Sequence, residues 1–372
     1  MRPSIIAISD PLELARFSDE RDEFMRRSST NPFCLTGFVK EMMQLNHSRG
    51  WCPLVLCLTR DGATIGVAPL MTKIRFGVRY ARFLLEPWMS SDFIFDDTCR
   101  EFCMRFIIDY IFRTLHCAVL DLTLPAESRN ANVLETVCEG SGFHCRKRAV
   151  SGHTIIRVKG TWDEFTAARG RNFKKYFKLL ERRLNRSGSW RIVRLSCDGR
   201  DSGAIERIHC VEKSSWKEAQ RKKTGKIDPT LSLCLKASKW TAERELDFRS
   251  WGCFLELGSK TLAYVLVLEY KGAALLVKTS FDERFREYYP GTYVLNESIR
   301  QLFDEEGVNT IDFVADLPFH KRWSSTCPGR VRVTMSRRYL SLYLCVLWAF
   351  VAETRIIRMM RKPSRKITRK ET

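Results

Sequence analysis

Twice along this chain, a set of hairpin-linked apolar strands is followed by a helix and then by a short buried strand. In the first pass, "PLVLCLTRDGATIGVAPLM" is two apolar runs joined by Arg60-Asp61-Gly62, a hairpin signature. "RYARFLLE" continues that sheet. Residues 100–115 place Phe102, Phe106, Ile107, Tyr110 and Ile111 on one helical face. A buried strand at 117–125, a helix over about 129–141 and a strand at 154–158 complete the pass. The second pass opens with a helix at 171–186 and a strand at 190–196. Helical stretches follow at 201–218 and 230–246. Three strands over 253–281 then turn at Gly258-Ser259 and Lys271-Gly272. They lead through Pro290-Gly291 into a helix at 292–305, a stop at Gly307 and the strand "TIDFVAD". Residues 1–50 read as a lead-in with helical pieces, turning at Asn31-Pro32-Phe33.

A repeat of about 180 residues is too long for a solenoid, whose units run roughly 20–50 residues. The expected fold is mixed α/β (α+β): two central mixed sheets flanked by helices. The halves are expected at 1–165 and 166–335, with a C-terminal tail at 336–372. With 372 residues and 44% hydrophobic content the chain can bury two such cores.

The net charge of +20 is concentrated. Residues 169–194 carry ten Lys/Arg against Glu181, and residues 355–370 carry eight with no acid. Both segments attract phosphate, whether of a cofactor, an anionic membrane or a nucleic acid. The tail also holds an apolar run at 339–352, too short to span a bilayer but suited to a membrane surface. The 14 cysteines show no disulfide framework and no zinc spacing, so no metal is expected. A cytoplasmic location is expected, at most peripheral on the inner membrane face, with 339–370 meeting anionic lipid.

The chemistry concentrates in 275–323. A strand at 275–280 runs through a loop into Pro290-Gly291-Thr292. A helix N-terminus there presents free N–H groups, and glycine lets a phosphate approach. Proline and threonine at that position also serve as ordinary capping residues. Asp312 ends a core strand beside this helix, and His320 follows on a loop. Tyr288 and Tyr289 are placed to contact a substrate, or to pack. On the basic helix, Lys174 and Lys175, with Arg171 and Lys178, are candidate phosphate or substrate ligands; a solvated basic face explains them equally well.

The ordered set Phe281-Asp282, Pro290-Gly291-Thr292, Gly307, Asp312-Phe313 and Trp323 after a basic pair resembles the cellulose-biosynthesis (CelD/BcsL-like) branch of the GNAT acyltransferases. The resemblance covers 170–324, back through "RNFKKYFKLLERRLNRSG". It implies a tandem GNAT fold with acyl-CoA (acetyl-CoA) pyrophosphate on the backbone of Gly291, Thr292 and Tyr293. It also implies transfer of an acyl group to a small or sugar-linked amine in cell-surface polysaccharide synthesis. Asp312 would then orient the amine or relay its proton, and His320 would act as base. Aligned on Trp323, Phe319-His320 stands where that branch often has Tyr-Lys. The two-half arrangement is also similar to the peptidoglycan aminoacyltransferases (FemABX), which implies a second possibility, an aminoacyl-tRNA donor gripped by the basic joint. A third is a non-catalytic fold tethered to a membrane by its tail.

Overall fold

The computed structural model describes residues 3–337 except 76, 141, 200, 219–228 and 246. Among them, fourteen strands form two sheets. The first contains β1 (Ser4–Ile8), β2 (Cys52–Arg60), β3 (Ala63–Arg75), β4 (Val78–Phe83), β5 (Ile94–Phe95), β6 (Val119–Pro125) and β7 (Phe143–Val150). The second contains β8 (Ile155–Arg157), β9 (Trp190–Ser196), β10 (Phe248–Leu257), β11 (Lys260–Tyr270), β12 (Ala273–Phe281) and β13 (Thr310–Asp312). A last strand, β14 (Arg330–Arg337), returns to the first sheet.

The sheets share one topology. The first runs β1-β2-β3-β4-β6-β14-β7, with β5 beside β3, and the second runs β9-β10-β11-β12-β13-β8. Each contains one parallel pair, β4 with β6 and β12 with β13. The hairpin turns form where the sequence signals them. Asp61-Gly62 and Lys271-Gly272 both hold two positive φ angles (54° and 82°, 47° and 78°), the backbone that a twist-matched two-residue loop needs.

Two strands depart from the expected order. Residues 4–8, expected within a helical lead-in, form edge strand β1; only Ile8 of the five is buried, too little alternation to read. Residues 330–335, expected in the second half, pair with β6 and β7 of the first sheet. There Val331, Val333 and Met335 are buried in the first half's core. In exchange, β8 from the end of the first half pairs antiparallel with β13. The first sheet therefore takes β14 between β6 and β7, and the second takes β8 as its edge.

Three cores follow from the period-2 alternation of the strands. On β11, Tyr264, Leu266, Leu268 and Tyr270 face a central core between the sheets. Ala263, Val265 and Val267 face an outer core with helices Arg171–Ser187 and Pro290–Phe303. Helices Arg100–Asp109 and Arg129–Gly140 cover the outer face of the first sheet. The central core joins the halves through helix Thr36–Ser48 of the first and helix Thr230–Ala242 of the second.

Gly37 sets how closely these two helices approach. A Cβ there would lie 2.5 Å from Thr241 Oγ1, 2.9 Å from the Trp240 ring and 3.0 Å from the Ala237 carbonyl. In an open helix Gly→Ala would gain up to about 1 kcal/mol. Here the overlap is partly with backbone, so Gly37→Ala is expected to destabilise by about 1–3 kcal/mol. Urea unfolding measures this; a gain in stability would show that the halves do not pack through this contact.

Candidate functional site

The parallel ladder between β12 and β13 has three rungs: Ala273–Thr310, Ala274–Ile311 and Leu275–Asp312. β13 stops there, while β12 continues to Phe281 with only β11 beside it. A bulge loosens β12 at the same place, since Val267 pairs with Leu276 and Leu266 with Lys278, leaving Val277 extra. The result is a strand edge of six residues, about 20 Å long at roughly 3.3 Å per residue, open toward β13.

β12 is followed by Asp282, which is buried and accepts from Arg284 N–H at 3.0 Å. Burial pushes its pKa up, but bonds from the Arg284 side chain at 3.0 and 3.1 Å outweigh this and hold the carboxyl below its ordinary value. The turn Glu283–Tyr288 then leads to Tyr289, in the left-handed region (φ 53°, ψ 44°). Helix Pro290–Phe303 begins immediately, with proline in its first turn and no acid there. An open cavity of about 470 Å³ lies against this turn, lined by Glu283, Arg284, Arg286, Glu287 and Tyr289.

The three proposed pyrophosphate ligands differ in what they offer. Gly291 N–H has no partner among the described residues, and a Cβ on Gly291 would stand 3.1 Å from the Phe281 ring. Thr292 and Tyr293 both donate to the Tyr289 carbonyl at 3.1 Å. The Tyr293 ring is buried edge-on to Trp190, centroids 5.3 Å apart, and burial pushes its phenol pKa well up. The structure thus leaves Gly291 the open donor of the three. Tyr289 is exposed beneath the Arg183 guanidinium, 5.7 Å from the ring, and Tyr288 is half-buried near Phe285. Lys174 and Lys175 are exposed on the outer face of helix Arg171–Ser187. They lie about 13 Å along the helix from Arg183, at 1.5 Å per residue, and so away from the Tyr289 turn.

Asp312 is the last rung of the ladder. One oxygen accepts from Val314 N–H at 2.6 Å, and the other lies 3.2 Å from His153 Nδ1. Val314 is held at φ 50°, an outlier for a β-branched residue and a sign of strain beside the carboxylate. His153, and not His320, is the histidine that the structure brings against Asp312. It is buried immediately before β8, and the sequence offers no signal for it: a lone histidine between Gly152 and Thr154.

His320 is buried behind the site instead. Its ring lies 4.5 Å from the Phe313 ring and 4.3 Å from the Phe319 ring. Nδ1 sits 3.3 Å from Leu317 N–H and 3.2 Å from the Ala315 carbonyl, so this nitrogen is engaged with the loop backbone. Trp323, fully buried, donates to Asn296 Oδ1 at 3.2 Å and packs near Phe177 and Phe313. The segment 318–323 therefore clamps the basic helix to helix Pro290–Phe303.

Residues 171–322 match the family described as the acetyltransferase (GNAT) domain. The match covers most of the second half, and the whole is a mixed α/β arrangement of two sheets flanked by helices. Among solved structures, FemX is similar at 14% identity over 89% of this chain and 97% of that one, TM-score 0.58. The C-terminal domain of a protein described as a lysylphosphatidylglycerol synthetase, from Agrobacterium fabrum, is similar at 11% identity over 91% and 96%, TM-score 0.54. L-PGS from Bacillus licheniformis is similar at 9% identity over 91% and 96%, TM-score 0.54. At these identities the likeness is one of fold. No curated protein matches the sequence significantly. Among the described residues no helix is long and apolar enough to cross a membrane, and no three His, Cys, Asp or Glu side chains are grouped to hold a metal ion.

Burial pushes the His320 pKa below the ordinary histidine value, against the weaker pull of the Ala315 carbonyl and of Asp316 and Asp312. A folded-state pKa below the unfolded one gives stability that is complete above about pH 6.5 and is lost as pH falls. His320→Gln should flatten the decline in unfolding free energy between pH 7 and pH 5. Equal slopes in wild type and variant would show that His320 does not carry this penalty.

Proposed function

We propose that the chain is an acyl-CoA-dependent N-acyltransferase that moves an acyl group, acetyl in the simplest case, to an amine. The observation that carries this is the open edge of β12 running into an acid-free helix N-terminus at Gly291. The strand edge offers backbone N–H and C=O groups to an extended amide-bearing arm. The helix end offers Gly291 N–H and the positive end of its dipole to a phosphate, with Arg284 and Arg286 on the adjoining cavity. Bound acyl-CoA supplies the thioester carbonyl and the thiolate leaving group. Asp312, at the other end of the open edge and bonded to Val314 N–H and His153, would orient the amine.

The resemblance to the cellulose-biosynthesis branch supports the finer reading of a sugar-linked acceptor in cell-surface polysaccharide synthesis, in the cytoplasm. The apolar run and basic tail at 339–370 lie outside the described residues; a contact with an anionic membrane surface is proposed for them on sequence alone.

Gly291→Asp should weaken acetyl-CoA binding at least tenfold, about 1.4 kcal/mol, by calorimetric titration. Gly291→Ala adds the same Cβ against Phe281 without the charge, and should lose far less. A folded Asp variant with unchanged affinity would remove the phosphate from this helix.

A second reading is favoured by the exposed cationic face of helix Arg171–Ser187, formed by Arg171, Lys174, Lys175, Lys178, Arg182 and Arg186. Such a stripe suits the phosphates of an aminoacyl-tRNA donor. On that reading, tRNA binding weakens steeply with salt. Replacing Lys174 and Lys175 by Gln should lower the slope of log affinity against log salt by about 2. An unchanged slope would place RNA elsewhere or nowhere.

A further inference from the structure

The end of the first sheet farthest from the seam is a cationic rim. Register places Lys73, Tyr80, Val119, Ser336 and His144 in one row across β3, β4, β6, β14 and β7. At roughly 4.8 Å per strand the row is about 19 Å wide. Beyond it lie the tip of the β3–β4 hairpin, where Arg75 pairs with Val78, and the end of β14, where Arg337 pairs with Phe143. The segment 112–115 is tied to the same rim. The Phe112 carbonyl accepts from Arg337 Nη2 at 2.5 Å, and the Leu115 carbonyl accepts from Arg79 Nη1 at 2.6 Å.

Arg75, Arg79, Arg113 and Arg337 are exposed on this rim. Among the described residues, Asp109, 3.4 Å from Arg113, is the one carboxylate within pairing distance of them. Like charges gathered this way repel one another, and an anionic surface relieves the repulsion. Between Lys73 and Arg75 stands Ile74, 61% exposed. Phosphates alone give that side chain nothing. The boundary between headgroups and acyl chains does, while arginines beside it meet the headgroup phosphates. Nucleic acid is less well served, because Trp51 is 7% exposed and covered by Lys73 and Arg75 at 5.6 and 5.5 Å, leaving no face for a base to stack on. The described chain also reaches residue 337 at this rim, and the sequence continues with the apolar run at 339–352 and eight Lys/Arg at 355–370.

We propose that this rim docks on an anionic lipid surface. Ile74 enters the boundary between headgroups and acyl chains, and Arg75, Arg79, Arg113 and Arg337 meet lipid phosphates. The contact extends to the folded first half the membrane contact proposed for 339–370, and it does not depend on the transfer chemistry. Two weak attachments side by side hold a protein at a membrane where either alone is readily reversible. Arg330, at the seam, stands seven residues back along β14, roughly 23 Å away at about 3.3 Å per residue, so a surface docked at the rim leaves the candidate site uncovered.

The test sediments the full chain with vesicles of phosphatidylcholine alone and of an equimolar mixture with phosphatidylglycerol. Wild type should partition to the mixed vesicles and far less to the neutral ones. Replacing Ile74 and Arg75 together by Glu changes two exposed side chains, so Tm should move little. Partition to the mixed vesicles should fall about tenfold. Ile74→Trp keeps every charge and should tighten binding several-fold, because tryptophan favours the headgroup level. A Glu pair that binds like wild type, or a Trp variant that binds no tighter, overturns the rim contact and leaves the tail contact standing. No partition of wild type to the mixed vesicles removes both. If the Glu pair loses binding to poly(U) RNA and keeps its vesicle binding, the rim belongs to nucleic acid and the lipid assignment is overturned.

Discussion

The early end of the ladder between β12 and β13 is the constraint on which the candidate site depends. After Asp312 the chain cannot continue as a strand, because Val314 is held at φ 50° with its N–H turned back to the Asp312 carboxylate. β8 covers the far side of β13 over the same three residues. β12 is therefore left with one paired edge and one edge with no strand beside it from Leu276 onward, along which the Thr279 carbonyl accepts from Lys217 Nζ at 2.8 Å. A buried strand rarely leaves a row of backbone groups unpaired. An open edge beside a helix N-terminus fits the extended ligand with an anionic end that is proposed for it.

The exchange of β8 and β14 determines what meets that edge. Had each half closed on its own last strand, Asp312 would border residues of the second half alone. Because β8 crosses over, His153 reaches Asp312 from 159 positions away in sequence. Because β14 crosses back, Arg330 follows, anchored to the Ser151 carbonyl at 2.6 Å and to the Pro87 carbonyl. The seam is thus built from four separate stretches of chain, and its polar groups are held by pairings in both sheets. The close approach of helices Thr36–Ser48 and Thr230–Ala242 fixes the same two sheets from the other side.

Local features were legible in the sequence where local physics decides them. The two-residue turns at Asp61-Gly62 and Lys271-Gly272, the apolar face of helix Arg171–Ser187 and the proline-led start of helix Pro290–Phe303 all follow from φ preferences and periodicity. Asp312 was legible as a carboxylate at a strand end. What decides its neighbours was not. β14 alternates clearly, with Val331, Val333 and Met335 inward, yet nothing in an alternating strand says which sheet receives it. His153 is a histidine in no motif, placed by a crossover. His320, which stands in a motif, turns out to be engaged with the Leu317–Ala315 backbone and packed between phenylalanines. Sequence spacing placed it near the site but could not show which way the ring points.

The two halves have one topology and opposite local chemistry, and this asymmetry gives them different work. In the first half β6 outlasts β4: their pairing covers Tyr80 to Arg82, and β6 then runs on to Pro125 paired with β14. The strand left without a neighbour on that side is therefore β6, from Leu122 on, and not the strand that leads into the helix. The helix that follows begins at Arg100 behind Asp96 and Asp97, with Glu101 in its first turn. Thr98 bonds hold Asp96, and the Arg100 bond holds Asp97, below the ordinary carboxylate range. The positive end of that helix is thus already met by carboxylates, which would repel a phosphate. In the second half the same helix position carries Pro290-Gly291-Thr292 with no acid in its first turn, and its strand edge is open. One half is therefore suited to an extended anionic donor. The other retains a polar cavity with Asp92, Arg100 and Arg129 in its wall, and Ser90 on its rim lies 3.4 Å from His153 Nδ1, which in turn meets Asp312.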